Sequence, residues 1–533
     1  MTKPFRSSWI SLLMPILAYI LGLAYIWHRW QGLEGGTWHQ FTYGLDDAYI
    51  HLAYAKHLVW SGVWGTDATT FTHASSSPGW VFLLAPFARL VPGYLEYIPL
   101  VLNVLASIWV IREATLFLRI LCPRFSEAMT GTFVAILLLA TSLPSLTYTG
   151  MEHIVHIGCV LIALRLFFQT PRATLWQISL WIFLASAFRI ETLFLAGFLG
   201  LILLFERRIL SAILIGISSA IPVTVMGLVA KMHGETFLPH SLLMKTYLGS
   251  SHVQSFWLST KEQWRILFVQ NFPLFILILA TLLFTLMIWK VLPRWKKHLS
   301  LLIIGTTIVH TQAAATSGGW YRYEAYLVVL LLCLVYLGIH EFIYQPHATK
   351  IRYAVCLLVG AVILWPLWQR GSLLLAQTHL AMKDIAAQQR MMAQSVERHF
   401  RGKIIAANDI GAISYTDAAR IIDVWGLGVG SKKIIETRRE GTLTTETIDA
   451  ILKEEQAEIA MIYKQALPRG PIPASWILVG ERFTQGKAVV SNPHVLFYAL
   501  QPDKVQPLIR ALQEEASSLP PFVTQTIHAN VPF

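Results

Sequence analysis

The sequence predicts an α-helical polytopic membrane protein of about 11 transmembrane helices with a small α/β domain at its C-terminus. Three observations lead there. Apolar residues make up 55% of the 533 positions and charged residues only 14%, where a soluble chain carries about 25%. Mean hydropathy is +0.54. Charge is also uneven: residues 1–370 hold 25 Lys/Arg against 14 Asp/Glu, and residues 371–533 hold 17 against 16. These features exclude a disordered tail, a fibre and an ordinary cytosolic enzyme. The net charge of +12 is dispersed among Trp-rich apolar runs and not gathered in basic clusters, so nucleic acid is not an expected partner.

The first apolar run, Trp9 to Trp27, follows Lys3 and Arg6 and lacks a small-x-small cleavage pattern before His28–Gln31. It is expected as a retained helix and not a cleaved signal. Ten further crossings are expected near 95–117, 127–148, 154–169, 173–188, 191–205, 209–230, 270–290, 299–316, 324–344 and 352–369. Pro78–Leu90 is apolar but only 13 residues long, which suits a re-entrant or interfacial helix. With a cytoplasmic N-terminus, the short inner loops and helix ends receive 15 basic residues and the longer outer loops nine. Counting 78–90 as a crossing would place Arg112, Arg119 and Arg124 outside, against the positive-inside bias. The expected division is therefore a membrane domain over 1–370 and a soluble extracytoplasmic domain over 371–533.

The tail opens on a polar helical stretch, Ala376–Phe400. Short β-type runs follow at Lys403–Ala407, Arg420–Val424, Ile459–Tyr463, Trp476–Val479 and Val495–Leu500, with helical pattern over Thr445–Gln456. Cys122, Cys159, Cys333 and Cys356 all lie in or beside apolar segments, so no disulfide framework is indicated.

Polar residues gather at few places. Asp46 and Asp47 stand just beyond the first crossing and open a segment, Ala48–Trp60, expected to lie amphipathically in the membrane interface, with His51 and His57 as polar anchors. One aspartate is accounted for as a helix N-cap. Two acids against lipid call for a partner or a function. Glu152, Arg189 with Glu191, His240, Lys245 and Arg322 fall on the same outer side in this topology, where acids beside cations can hold an anionic ligand. Arg189 with Glu191 can equally be a structural pair. Glu152-His153-x-x-His156 has the wrong order for a zinc helix, and Gly426-x-Gly428-x-Gly430-Ser431-Lys432 lacks Walker A spacing and reads as a turn.

Taken in order, these motifs resemble the GT-C superfamily of polyprenyl-phosphate-sugar-dependent glycosyltransferases, the arabinofuranosyltransferase-like and protein mannosyltransferase-like enzymes above all. The resemblance rests on Asp46-Asp47-Ala48-Tyr49-Ile50, Thr72–Trp80 with Ser77-Pro78-Gly79-Trp80, and Thr149-Gly150-Met151-Glu152. Further along it rests on Arg189-Ile190-Glu191, Leu238-Pro239-His240-Ser241 with Lys245-Thr246, and Arg322-Tyr323. In the tail, Ala407-Asn408-Asp409-Ile410-Gly411 and Ile422–Leu427 are similar to the external domain that follows such helices.

The resemblance implies an inverting transfer of a sugar from a polyprenyl-phosphate donor to a glycan, lipid or protein acceptor outside a bacterial cytoplasmic membrane. Asp46 or Asp47 would be the general base, with Asp46 favoured by the family pattern and Asp47 meeting the acceptor or a metal. Arg322, Lys245 and Arg189 would bind the donor phosphate. Glu152, Glu191, His240, His73 and Tyr49 would contact sugar or acceptor. Hard oxygen ligands suit Mg²⁺ or Ca²⁺, although the sequence demands no cofactor. A transporter or lipid-linked-sugar flippase is the alternative, which inverted repeats would favour; none is evident.

Overall fold

The computed structural model describes residues 9–33, 40–169, 174–245, 256–313, 319–345, 350–468, 470–486 and 488–528. The chain forms two compact units, each assembled from three stretches. One holds Met1–Ile26, Leu100–Val225 and Gln254–Ala376; the other holds Trp27–Pro99, Met226–Val253 and Gln377–Phe533.

The first unit is helical. Its centre is the helix Ala325–Ile343, apolar around its whole circumference and buried along most of its length, as a helix without a polar face must be. Phe272–Ile288 packs against it, and the approach is close enough that a Cβ on Gly338 would meet the Phe284 side chain at 3.0 Å. Outer helices turn large apolar side chains outward, among them Leu13, Leu17, Ile213, Ile217, Leu357 and Trp365, which is the surface of a multi-pass membrane protein.

Each of the eleven expected crossings contains a helix. Among the described residues five helices are long and apolar enough to span, or six with the bent pair Thr260–Gln270 and Phe272–Ile288, which meet at 107°. The run expected as one crossing over 127–148 is broken. Glu127–Ala140 ends, Ser142 adopts φ 50°, and Leu143–Thr147 starts afresh with Pro144 in its first turn. The last helix runs further than expected, from Lys350 to Ile385. A π-turn over Ala386–Arg390 and the helix Met391–His399 then continue it.

In the second unit the tail builds a six-stranded sheet in the order β2-β1-β3-β5-β4-β6. The strands are β1 (Ile404–Ala407), β2 (Arg420–Asp423), β3 (Ile459–Ile462), β4 (Ile477–Thr484), β5 (His494–Ala499) and β6 (Val523–Ile527). β1 is parallel to β2 on one side and β3 on the other; β5, β4 and β6 add antiparallel. Ala406, Ile422, Ala460, Ile462 and Leu496 form a core with Ile448 and Leu452 of the helix Thr445–Glu454. Five strands were expected from the sequence; β6 was not.

The expectation of an interfacial helix after the aspartates is overturned. Asp47–Trp60 carries no amphipathic stripe and is buried from Ala48 through Ala55. His51 and His57 do not project as anchors. His57 Nδ1 lies 3.0 Å from the Gly65 carbonyl oxygen and its Nε2 3.5 Å from Asp417, while His51 sits 3.4 Å from the Ser75 hydroxyl. Polar side chains that satisfy one another let this helix bury its first two turns on every side in protein.

Helix crossings in the first unit depend on small residues. A Cβ on Gly371 would fall 2.0 Å from the Leu139 carbonyl oxygen, whereas one on Gly360 of the same helix meets nothing within 4 Å. Gly371→Ala is expected to destabilise the protein by about 1–3 kcal/mol through overpacking, and Gly360→Ala to leave the thermal midpoint in detergent unchanged or raise it.

Candidate active site

β1 lies between β2 and β3, so the chain leaves β1 toward one neighbour and returns on the other side. Such a reversal opens a crevice at the carboxyl edge of a parallel sheet. Asn408 and Asp409 follow β1 there, and Tyr463 follows β3. A cavity of about 250 Å³ occupies the position, lined by Asp46, Asp47, Asn408, Asp409, Tyr463 and Trp425 among others. The pair of aspartates predicted from the sequence thus shares its cavity with a third carboxylate from the tail.

Asp46 precedes the helix Asp47–Trp60 but does not cap it through its side chain. Its two oxygens accept the backbone N–H groups of Gly411 and Ala412 at 2.7 and 2.8 Å. The contact requires glycine, because a Cβ on Gly411 would stand 2.1 Å from the Asp46 carbonyl oxygen and 2.7 Å from its carboxyl carbon. Burial, then the charge of Asp409, push the Asp46 carboxyl well above the usual carboxylate range, against the pull of the two amides, and Asp47 adds to the rise. Asp409 is raised chiefly by burial. It accepts hydrogen bonds from the Tyr463 hydroxyl and the Gln389 amide, both at 2.6 Å.

The π-turn aims two consecutive side chains at this site, since it adds a residue to one helical turn. Gln389 reaches Asp409, while Gln388 Oε1 lies 2.8 Å from the Tyr463 hydroxyl and its amide donates to the Asn492 carbonyl oxygen at 3.0 Å. Arg390 closes the turn on Glu96 at 3.2 Å and lies over the Tyr49 ring at 5.4 Å. Tyr49 donates to Glu96 at 3.1 Å and accepts from the Tyr43 N–H at 3.2 Å. Beyond β2, the Gly426–Gly430 segment is a turn, closed around the buried Asp423 carboxylate by the N–H groups of Trp425, Leu427 and Gly428.

The other expected residues of this unit are buried and paired. His73 Nδ1 lies 2.9 Å from the Thr236 carbonyl oxygen, and its own carbonyl accepts the His240 N–H at 2.7 Å. His240 Nε2 lies 3.0 Å from Glu235. Lys245 ends the short helix His240–Lys245; its side chain, with Thr246 and Tyr247, lies outside the described residues.

Glu152, Arg189, Glu191 and Arg322 belong to the first unit, where all four are buried. Arg189 stands at the break between Leu175–Phe188 and Thr192–Phe205. It donates to Glu152 at 3.0 Å and, through both Nε and Nη2, to Glu191. The Tyr323 ring brings the two arginines together, with the Arg189 guanidinium 5.5 Å and that of Arg322 5.0 Å from its centre. Arg322 also donates to the Tyr323 hydroxyl at 3.0 Å. The pairing of Arg189 with Glu191 is present as one reading held, and Glu152 joins it. His156 Nε2 lies 2.9 Å from the Thr192 hydroxyl.

Among the described residues no group of three or more His, Cys, Asp or Glu side chains is placed to hold a metal ion. Asp46 and Asp409 spend oxygens on backbone, hydroxyl and amide donors. The three carboxylates therefore do not fit a preformed Mg²⁺ or Ca²⁺ site.

A family model described as a domain of unknown function (DUF8728) matches residues 380–498. No curated protein matches the chain in sequence. Solved structures do match. ArnT from Cupriavidus metallidurans in its apo state is 11% identical, with a TM-score of 0.51 over 92% of this chain and 98% of that one. The oligosaccharyltransferase of Archaeoglobus fulgidus in its apo form is 11% identical, with a TM-score of 0.53 over 94% and 75%. The same archaeal protein, AglB, in complex with an inhibitory peptide and a dolichol-phosphate is 12% identical, with a TM-score of 0.51 over 93% and 75%. The likeness at this identity is one of fold alone, shared with ArnT and with the archaeal oligosaccharyltransferase.

Removing the Asp46 carboxylate leaves two backbone donors without an acceptor, at about 1–3 kcal/mol each. Asp46→Ala is expected to accelerate amide exchange across residues 410–414 in the full-length protein, and Asp46→Asn, which keeps one acceptor oxygen, to do so less.

Proposed function

We propose that the protein is an inverting glycosyltransferase that moves a sugar from a polyprenyl-phosphate donor to an acceptor hydroxyl at the extracytoplasmic face of a bacterial cytoplasmic membrane. One observation carries the reading. A carboxylate fixed by two backbone amides, with its proton affinity raised by burial and by two neighbouring acids, lines a cavity in a chain of GT-C fold. The fold neighbour solved with a dolichol-phosphate supports a lipid phosphate as the donor's handle.

In this reading residues 1–370 carry the catalytic membrane domain and residues 371–533 the external α/β domain. Asp46 takes the proton of the acceptor hydroxyl, and its raised proton affinity suits it to that work near neutral pH. The Gly411 and Ala412 amides keep its oxygens in one orientation. Asp47 contacts the acceptor or a cation brought with the substrate. The acceptor oxygen attacks the anomeric carbon, the bond to the phosphate oxygen breaks, and the lipid leaves as a phosphate monoester. Growing negative charge on that phosphate needs cations. Arg322 and Lys245 supply them, with Arg189 contributing charge from between its two carboxylates. Glu152, Glu191, His240, His73 and Tyr49 shape the sugar and acceptor surroundings.

Purified protein is expected to transfer labelled sugar from a polyprenyl-phosphate donor, and Asp46→Asn to lower turnover by about 10²- to 10⁴-fold. Full activity in both Asp46→Asn and Asp47→Asn would falsify the assignment of the base.

The pH dependence follows from the same crowding. A base must be ionised, so activity is expected to rise with pH through a midpoint above the ordinary aspartate value of about 3.9. Asp409→Asn deletes a neighbouring negative charge, which lowers the Asp46 pKa and moves that midpoint to lower pH. A midpoint that stays in place, or moves up, contradicts the coupling.

A further inference from the structure

Arg370 lies in the apolar helix Lys350–Ile385 and is only 4% exposed. A charge in such a place marks a functional residue more often than a chance one. Its Nη1 donates to Glu324 at 3.2 Å and to the Asn271 side-chain oxygen at 3.3 Å. Asn271 donates to the same Glu324 oxygen at 2.8 Å, and the guanidinium lies 4.6 Å from the centre of the Tyr321 ring. Each partner stands at an interruption of a helix. Asn271 is at the 107° bend, Tyr321 is in the turn Gly319–Tyr321, and Glu324 is the residue before Ala325–Ile343. Arg370 Nη2 also approaches, at 3.5 Å, the carbonyl of Ala140, which ends its helix just before the Ser142 break.

Two of these partners flank Arg322. Just ahead of it, Trp320 and Tyr321 both hold positive φ, 61° and 53°. Two successive bulky residues in the left-handed region are unfavourable and persist only where surrounding contacts over-determine them. Arg370 supplies such contacts on both sides, stacking on Tyr321 and pairing with Glu324, and its planar fork meets both at once in a way a lysine cannot.

We propose that Arg370 is a positioning residue for Arg322, holding the Trp320–Tyr321 turn in its left-handed form so that Arg322 is presented to the phosphate of a lipid-linked substrate. The inference rests on the function proposed above. Arg370 touches no substrate in it; it acts through the segment that carries Arg322.

The test is binding of polyprenyl phosphate to the full-length protein in nanodiscs, read alongside the thermal midpoint. Arg322→Gln and Arg370→Met are each expected to weaken binding by about 10- to 100-fold, the usual effect of losing a ligand's orienting partner. Arg370→Met leaves Glu324 buried without its cation and lowers the midpoint. The double variant Arg370→Met, Glu324→Met removes both charges and is expected to recover the midpoint without recovering binding. A purely structural role predicts recovery of both, which would overturn the proposal. Adding Arg370→Met to Arg322→Gln is expected to weaken binding little further, because the two act as one unit; a full additional loss also overturns it. If the unaltered protein binds no polyprenyl phosphate, the proposed function fails and this inference with it. Binding that survives Arg370→Met and the double variant intact defeats only the positioning role.

Discussion

A charge taken out of water must be met by an opposite charge or by oriented dipoles, and in both units this requirement organises the chain. In the helical unit the buried cation Arg189 sits at a helix break and Arg370 within a helix, and their carboxylate partners Glu152 and Glu324 come from the ends of neighbouring helices. In the second unit the roles reverse. Buried acids are met by backbone N–H groups, two for Asp46 and three for Asp423, drawn from turns that follow strands of the tail. Where the partners are far apart in sequence, as for Asp46 with Gly411, Arg189 with Glu152 and Arg370 with Glu324, these pairs fix tertiary arrangement as well as charge.

Much of the architecture can be read from apolar periodicity. The eleven runs each hold a helix and five of the six strands were marked, because these are strongly patterned segments. β6 escaped because its stretch, Val523-Thr-Gln-Thr-Ile527, is short, polar at its three central positions and paired on one side only. The break at Ser142 had a local signal in the following Pro144, masked by apolar residues on both sides. The helix after the aspartates was misplaced for a different reason. Histidines and tyrosines read as interfacial when their partners, Gly65, Asp417 and Thr72, are unknown.

The candidate site was legible in part. Adjacent aspartates after a first helix, and arginines at helix ends, draw notice because charge is scarce in this chain. Asp409 drew none as a site residue, although an Asn-Asp pair directly after an apolar strand is the signal that would have found it; its proximity to Asp46 depends on a contact across 365 positions. Arg370 falls one residue beyond the last expected crossing, 352–369, and drew no notice. Its significance comes from three helix interruptions meeting at one point, which periodicity does not reveal.

The π-turn at Ala386–Arg390 makes the length of the chain there a determinant of chemistry. An ordinary helical turn would hold one residue fewer, so deleting any of these five would turn the remaining side chains of the segment relative to Met391–His399 by about 100°. Gln388 and Gln389 could not then both face Tyr463 and Asp409. Substitutions in this stretch change one side chain at a time, whereas a single-residue deletion rewires the whole cradle. Natural variation within this segment should therefore alter residue identity far more freely than residue number.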